Sequence, residues 1–183
     1  ATAMYGIAGD VTATWTAYQP GNCNSQFHLY CIEKTYSGGF TYHEDTGRAF
    51  VTSAPIFGDI KGAMTSAVIP GYTGSGLAAG DVFCQALADN VKLGGEWNAW
   101  LSNSSTDAID EVYDRKYIRE VDNAVIVDDK SELVNIPYLS NANRFHEFRN
   151  DAFSTPVWTG TNRDGTGHPD TCSGWTSNLG TGL

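Results

Sequence analysis

Apolar and polar positions change rhythm several times along this chain, and each change marks an element. Residues 11–18 (Val-Thr-Ala-Thr-Trp-Thr-Ala-Tyr) alternate small or polar side chains with larger ones, the two-residue period of a strand. Gln19-Pro20-Gly21-Asn22 reads as a turn. Phe27–Glu33 is predicted as a buried strand, Gly38-Gly39 breaks the chain, and Arg48–Ser53 is predicted as a second strand. A loose stretch with Ile69-Pro70-Gly71 and Gly74-Ser75-Gly76 follows. The rhythm then turns helical over 78–92, where Phe83, Cys84 and Leu87 share one apolar stripe, until Gly94-Gly95 stops it.

Trp97–Ser102 reads as a short aromatic strand, and Asp107–Val112 as a shorter helix with acidic residues in its first turn. Val125–Val127 is predicted as a strand, 135–155 as irregular, and Val157-Trp158 and Gly174–Thr176 as short strands around a Gly-rich loop. One main helix, one short helix and many short strands give an α+β class in a single domain, 1–183, with no boundary, repeat or low-complexity tract.

Composition narrows this picture. The 183 residues are 41% apolar, so they can bury roughly 70% of the surface the unfolded chain exposes, which argues against disorder. Only 17% are charged and 20 are Gly, as suits a loop-rich fold. The net charge is −10, and the basic residues form no run longer than Arg115-Lys116, which argues against nucleic acid, sulfated glycans and anionic lipid as partners. No apolar stretch approaches the ~20 residues of a membrane span. Ala1-Thr2-Ala3-Met4 has neither the basic start nor the apolar run of a signal peptide, and Ala1 fits a processed end and an arbitrary boundary equally well.

Cys23, Cys31, Cys84 and Cys172 form no C-x-x-C pair and no common zinc spacing. An even count of this kind favours two disulfides and an oxidising, extracellular compartment. Counting leaves all three connectivities open.

Several blocks together resemble a known domain. Phe50–Ser53, Ala78–Ala88 and Gly94–Ser102 are similar to the first half of an endostatin-like domain. Pro156–Gly160, Asp164-Gly165 and Thr171–Thr176 are similar to its second half. The closing strand of that family, with its last two cysteines, resembles Asn22–Glu33 at the other end of this chain. The chain thus looks like a circularly permuted endostatin-like domain of the C-type-lectin-like fold, of the variety carried by bacterial surface proteins. Residues 34–47 then join closing and opening strands as a hairpin. The stretch Lys61–Ser75 departs from the family by its length. The resemblance implies the pairs Cys31–Cys84 and Cys23–Cys172; the rival is a local Cys23–Cys31 loop with Cys84–Cys172.

The resemblance implies binding or assembly, not catalysis. None of the sequence signatures of serine hydrolases, zincins, P-loops or dinucleotide folds is present. His28 reads as a packed or rim histidine, and His146 and Glu147, as strand neighbours, are expected to face opposite ways. Asn162, Asp164 and Asp170 offer hard oxygens to calcium in a Gly-rich loop, the one cofactor considered, although the same residue types close turns and that reading is preferred. Trp15, Tyr18, Tyr36, Tyr42 and Tyr72 lie outside the strongest blocks and form a sugar-stacking or protein-binding face if exposed.

The expected function is that of an extracellular, non-enzymatic domain, adhesin-like or a subunit of a surface filament or repeat array. Its partners are then another protein or identical subunits, with residues 1–33 hinged to the rest at Ser37-Gly38-Gly39 and residues 1–20 within them as the assembly segment; glycan is the further partner considered. The alternative is a carbohydrate-binding module, calcium-dependent or not, or a glycan-active enzyme.

Overall fold

The computed structural model describes residues 1–35, 46–67, 69–135, 145–148, 150–152 and 154–179. Tyr36, the Ser37-Gly38-Gly39 hinge, Tyr42 and His43 lie outside the described residues. Among the described residues the chain is α+β, with a mixed nine-stranded sheet, three α-helical segments and two disulfides. The strands are β1 (Thr2–Ile7), β2 (Gln19–Asn22), β3 (Gln26–Thr35), β4 (Thr46–Val51), β5 (Ile56–Phe57), β6 (Glu96–Ala99), β7 (Lys116–Arg119), β8 (Val125–Val127) and β9 (Pro156–Trp158). The helices are α1 (Ile60–Ala67), α2 (Gly76–Asn90) and the single turn α3 (Cys172–Trp175).

The sheet runs β2-β1-β9-β3-β4-β7-β8, with β5 and β6 also on β3. The ten-residue β3 organises it. It pairs antiparallel with β4, β5 and β6 and parallel with β9. Strand alternation splits its side chains between two cores. Leu29 and Cys31 enter the core beneath α1 and α2, whereas Tyr30 and Ile32 enter a second core with Trp15, Trp100 and Tyr117.

α2 starts where Ser75 Oγ accepts from Ala78 N, and ends as Lys92 turns left-handed and Leu93 N returns to Ala88 O. It buries Gly76, Ala79, Gly80, Cys84 and Ala88, while Phe83 and Leu87 pack at the margin. Its small residues allow close approach to β6, and its polar side chains complete that strand's outer edge. Asp81 Oδ1 accepts from Ala99 N and Gln85 Oε1 from Trp97 N, each at 2.9 Å.

The β3–β4 pair is locked by an ion pair. Glu33 is fully buried, and Arg48 meets it bidentately, Nη2 to Oε1 at 2.7 Å and Nε to Oε2 at 3.0 Å, with its guanidinium over the Trp97 ring.

Four expectations are corrected. Residues 11–18 are not a strand but a loop with one 3-10 turn at Ala13–Trp15, capped by Thr12, because Trp15 is drawn into the second core. Gln19–Asn22 is a strand and not a turn. The loose stretch holds β5 and α1. Gly174–Thr176 is not a strand: Cys172, Ser173, Gly174 and Trp175 all have φ between 49° and 67°, a left-handed turn. Such a turn costs roughly 1–2 kcal/mol per non-Gly residue. The Cys23–Cys172 disulfide, the Trp175 indole on Ser102 O and the fit at Gly76 offset that cost. A Cβ on Gly76 would lie 2.0 Å from Gly174 O.

Residues 1–20 are not an appendage. β1 lies inside the chain's own sheet between β2 and β9, and Ala3, Tyr5, Ala8 and Trp15 are buried. β2 is an edge strand whose Pro20 pairs with Met4. Met4 spends its N–H on Asp170 O and its carbonyl on Thr159 N and Gly160 N, away from β2. Pro20 therefore also turns outward, so the free edge lacks a donor where an incoming strand would need one.

Candidate functional site

Chemistry-bearing side chains gather at the end of β4. There β3 flanks one side and residues 145–148 flank the other, with His146 bridged in parallel to Val51. His28 shares the face of Tyr30 and Ile32 but lies two residues nearer the rim, where it is half-buried. Its Nδ1 lies 2.5 Å from Thr52 O, and a carbonyl only accepts, so Nδ1 carries the proton. His146 Nδ1 lies 3.4 Å from Val51 O in the same sense. The two ring centroids are 5.5 Å apart.

Glu147 is buried beside them. Its carboxylate accepts from Ser53 N at 2.9 Å and from Ser53 Oγ. Burial holds His28 below the ordinary imidazole pKa; the Thr52 carbonyl opposes that shift, His146 adds to it and Glu147 opposes it. The serine hydroxyl donates to Glu147 and to neither imidazole, so the four groups do not form a serine–histidine relay. What the arrangement offers is two imidazoles whose Nδ1 atoms face main-chain carbonyls, beside a buried carboxylate.

His146 and Glu147 were expected to diverge as strand neighbours. Only a single bridge holds His146, and Glu147 begins a turn, so both side chains reach the β4 end. No sequence spacing marks the pairing of His28 with His146; β4 brings them together.

Asn162 and Asp164 take part in turn closure through their side chains, and Asp170 through its backbone N–H. Asp164 Oδ1 accepts from Thr166 N and Oγ1, Asn162 Nδ2 donates to Thr166 Oγ1 and Gly167 O, and Asp170 N donates to His168 Nδ1. These hydrogen bonds hold Asp164 below the usual carboxylate pKa, its bond with the Thr166 hydroxyl foremost. Among the described residues no set of three His, Cys, Asp or Glu side chains gathers to hold a metal.

Of the five aromatics considered for a binding face, Trp15 is core and Tyr72 packs partly buried against the helix-side core. Tyr36 and Tyr42 lie outside the described residues. Tyr18 is 51% exposed and stands edge-on to Tyr5, whose hydroxyl accepts from Gln19 Nε2. Tyr5 continues through Phe27 to Trp158, so the exposed ring tops a column of aromatics reaching the core.

The disulfides join Cys31 of β3 to Cys84 of α2 and Cys23 to Cys172 of α3, and no described cysteine is free. This is the pairing implied by the resemblance, not the local loop. Two disulfides are consistent with an oxidising compartment, and no helix among the described residues is long and apolar enough to cross a membrane. No protein-family model, no curated protein and no solved structure matches this chain.

Proposed function

We propose that this chain is an extracellular binding domain of the C-type-lectin-like class, endostatin-like and circularly permuted, serving as an adhesin-like or structural module at a cell surface and not as an enzyme. The observation that carries this reading is the disulfide frame. A helix cysteine, Cys84, is clamped to β3, the strand that resembles the family's closing strand, and β3 pairs antiparallel with β4.

Two measurements test it. A chain opened between residues 35 and 46, with Leu183 linked to Ala1, restores the family order. It is expected to fold with the same two disulfides and nearly the same thermal midpoint; scrambled pairing or failure to fold counts against the class. For the function, saturable binding of a cell-surface protein without chemical change is expected. Release of sugars from any polysaccharide overturns the non-enzymatic reading.

The second reading, a carbohydrate-binding module, is favoured by Tyr18, an exposed ring beside Gln19 on a rigid aromatic column. Glycan-array signal lost in Tyr18→Ala supports it, and a chelator distinguishes calcium-dependent from calcium-independent binding.

A further inference from the structure

We infer that His28 and His146 form a binding site for a zinc-class divalent cation at the end of β4. The first observation is convergence. Strands on opposite sides of one strand lie about 9–10 Å apart. His28 on β3 and His146 on the segment beyond β4 nevertheless bring their ring centroids to 5.5 Å, so both side chains lean over the strand between them.

The second is orientation. Each Nδ1 faces a main-chain carbonyl, and the two carbonyls belong to consecutive residues, Thr52 for His28 and Val51 for His146. A histidine that donates Nδ1–H to a carbonyl has its tautomer and ring plane fixed and presents Nε2 to a metal. A zinc–nitrogen bond of about 2.0–2.1 Å puts the metal about 3.1–3.2 Å from each ring centroid. Two such rings at a tetrahedral or slightly wider angle have centroids about 5–5.5 Å apart. The observed separation fits that geometry.

The third is charge. Glu147 is buried beside the imidazoles, held by Ser53 N and Oγ, and supplies a fixed negative potential without needing to ligate. Both histidines are half-buried, which leaves them reachable from solvent. Imidazole nitrogen selects zinc, copper or nickel over calcium and magnesium. Two protein ligands leave the remaining positions to water or to a partner's side chain, so the site binds reversibly, unlike the four-ligand structural zinc sites.

The test uses the whole disulfide-bonded chain without an affinity tag, titrated with Zn²⁺ by calorimetry. The same titration is followed by NMR of the histidine ring signals. Wild type and His168→Gln are expected to bind one Zn²⁺, while His28→Gln and His146→Gln each weaken binding at least about tenfold. In the wild type the His28 and His146 signals move together, those of His43 and His168 stay still, and Mg²⁺ moves none. Unchanged affinity in either variant overturns the site. So does zinc perturbation of His43 or His168 in place of the pair in the wild-type spectra, a result that stands even where a variant fails to fold.

Discussion

The two faces of the sheet are held by different means. On one, α1 and α2 lie over β3 and β6, and all four cysteines belong to that core, with Trp97, Trp158 and Trp175 filling it. Among the described residues, the other face has no helix longer than a 3-10 turn above its buried side chains. Trp15, Trp100 and Tyr30 are clustered there, with Trp15 centroids 5.1 and 5.2 Å from the other two rings. Side-chain hydrogen bonds hold the covering chain down. Trp100 Nε1 donates to Thr16 Oγ1, Thr159 Oγ1 to Thr16 O, and Tyr30 OH to Trp15 O. A helix satisfies its own backbone; irregular chain lying on a core must have each buried group answered individually. One face is stapled and self-sufficient, the other wired.

The comparison breaks most severely if residues 1–18 are deleted. That removes β1 from between β2 and β9 and takes Trp15 out of the wired face. Loss of a buried Trp alone costs about 3–5 kcal/mol, against a total stability of about 5–15 for a domain. The truncated chain is expected to show no cooperative thermal transition. A folded truncated monomer would mean that the first segment is the detachable piece its sequence position suggested.

The staple ranks next. In the chain-entropy model, separations of 53 and 149 residues correspond to about 4 and 5 kcal/mol, within the measured range of about 2–5 for native bridges. Cys31→Ser with Cys84→Ser is expected to lower stability by about 4 kcal/mol in urea titration. A loss below about 1 kcal/mol would show that helix packing alone holds that face.

The same division explains what the sequence disclosed. The helix at 78–92, the strands at 27–33 and 48–53, and Trp97–Ser102 were legible because periodicity and local stop signals coincide there. β1 was not: Gly6 interrupts Thr2–Ile7, and its partners Trp158 and Asp170 lie at the far end of the chain. Val11–Tyr18 carries strand-forming Thr and aromatics, yet burial of Trp15 sets its course. Gln19–Asn22 carries turn residues, but an edge strand tolerates Pro facing outward. The His28–His146 pair was illegible for the same reason, since a third strand creates it.

Thr16→Val sharpens the wired side. The residue is fully buried, and its hydroxyl accepts the Trp100 indole N–H at 2.9 Å. Valine keeps the shape but leaves that N–H without an acceptor, at a cost of about 1–3 kcal/mol. Chemical denaturation should show a loss of about 2 kcal/mol with little change in slope, and a red-edge shift in Trp fluorescence should accompany it. A neutral outcome would mean that packing, and not wiring, holds this face.

The smallest expected effect lies on the stapled side and has the opposite sign. Asp81 sits on α2 against β6, and burial raises its pKa from 3.8 to about 6, partly opposed by the Ala99 N–H it accepts, with Glu111 raising it further and Lys34 lowering it. A carboxyl whose folded pKa exceeds its unfolded one stabilises the fold fully below pH 3.8, and that contribution is lost as pH rises through about 6. At neutral pH, α2 therefore carries an ionised group in a site that prefers it neutral. Asp81→Asn keeps an oxygen for Ala99 N and removes the charge. The full shift corresponds to about 3 kcal/mol, but the new amide N–H₂ also needs partners, so a gain of about 1 kcal/mol at pH 7 is expected. Asp10, Asp122, Asp129 and Asp164 have lowered pKa values and work in the other direction, so the difference between variant and wild type is the quantity to follow. That difference should move by about 3 kcal/mol in the variant's favour between pH 4 and 6, from a deficit of about 2 kcal/mol below pH 4 to the gain of about 1 kcal/mol above pH 6. If the variant is instead less stable at pH 7, the carboxylate is needed in its charged form to close the edge of β6, and the helix-covered face depends on a side-chain wire of its own.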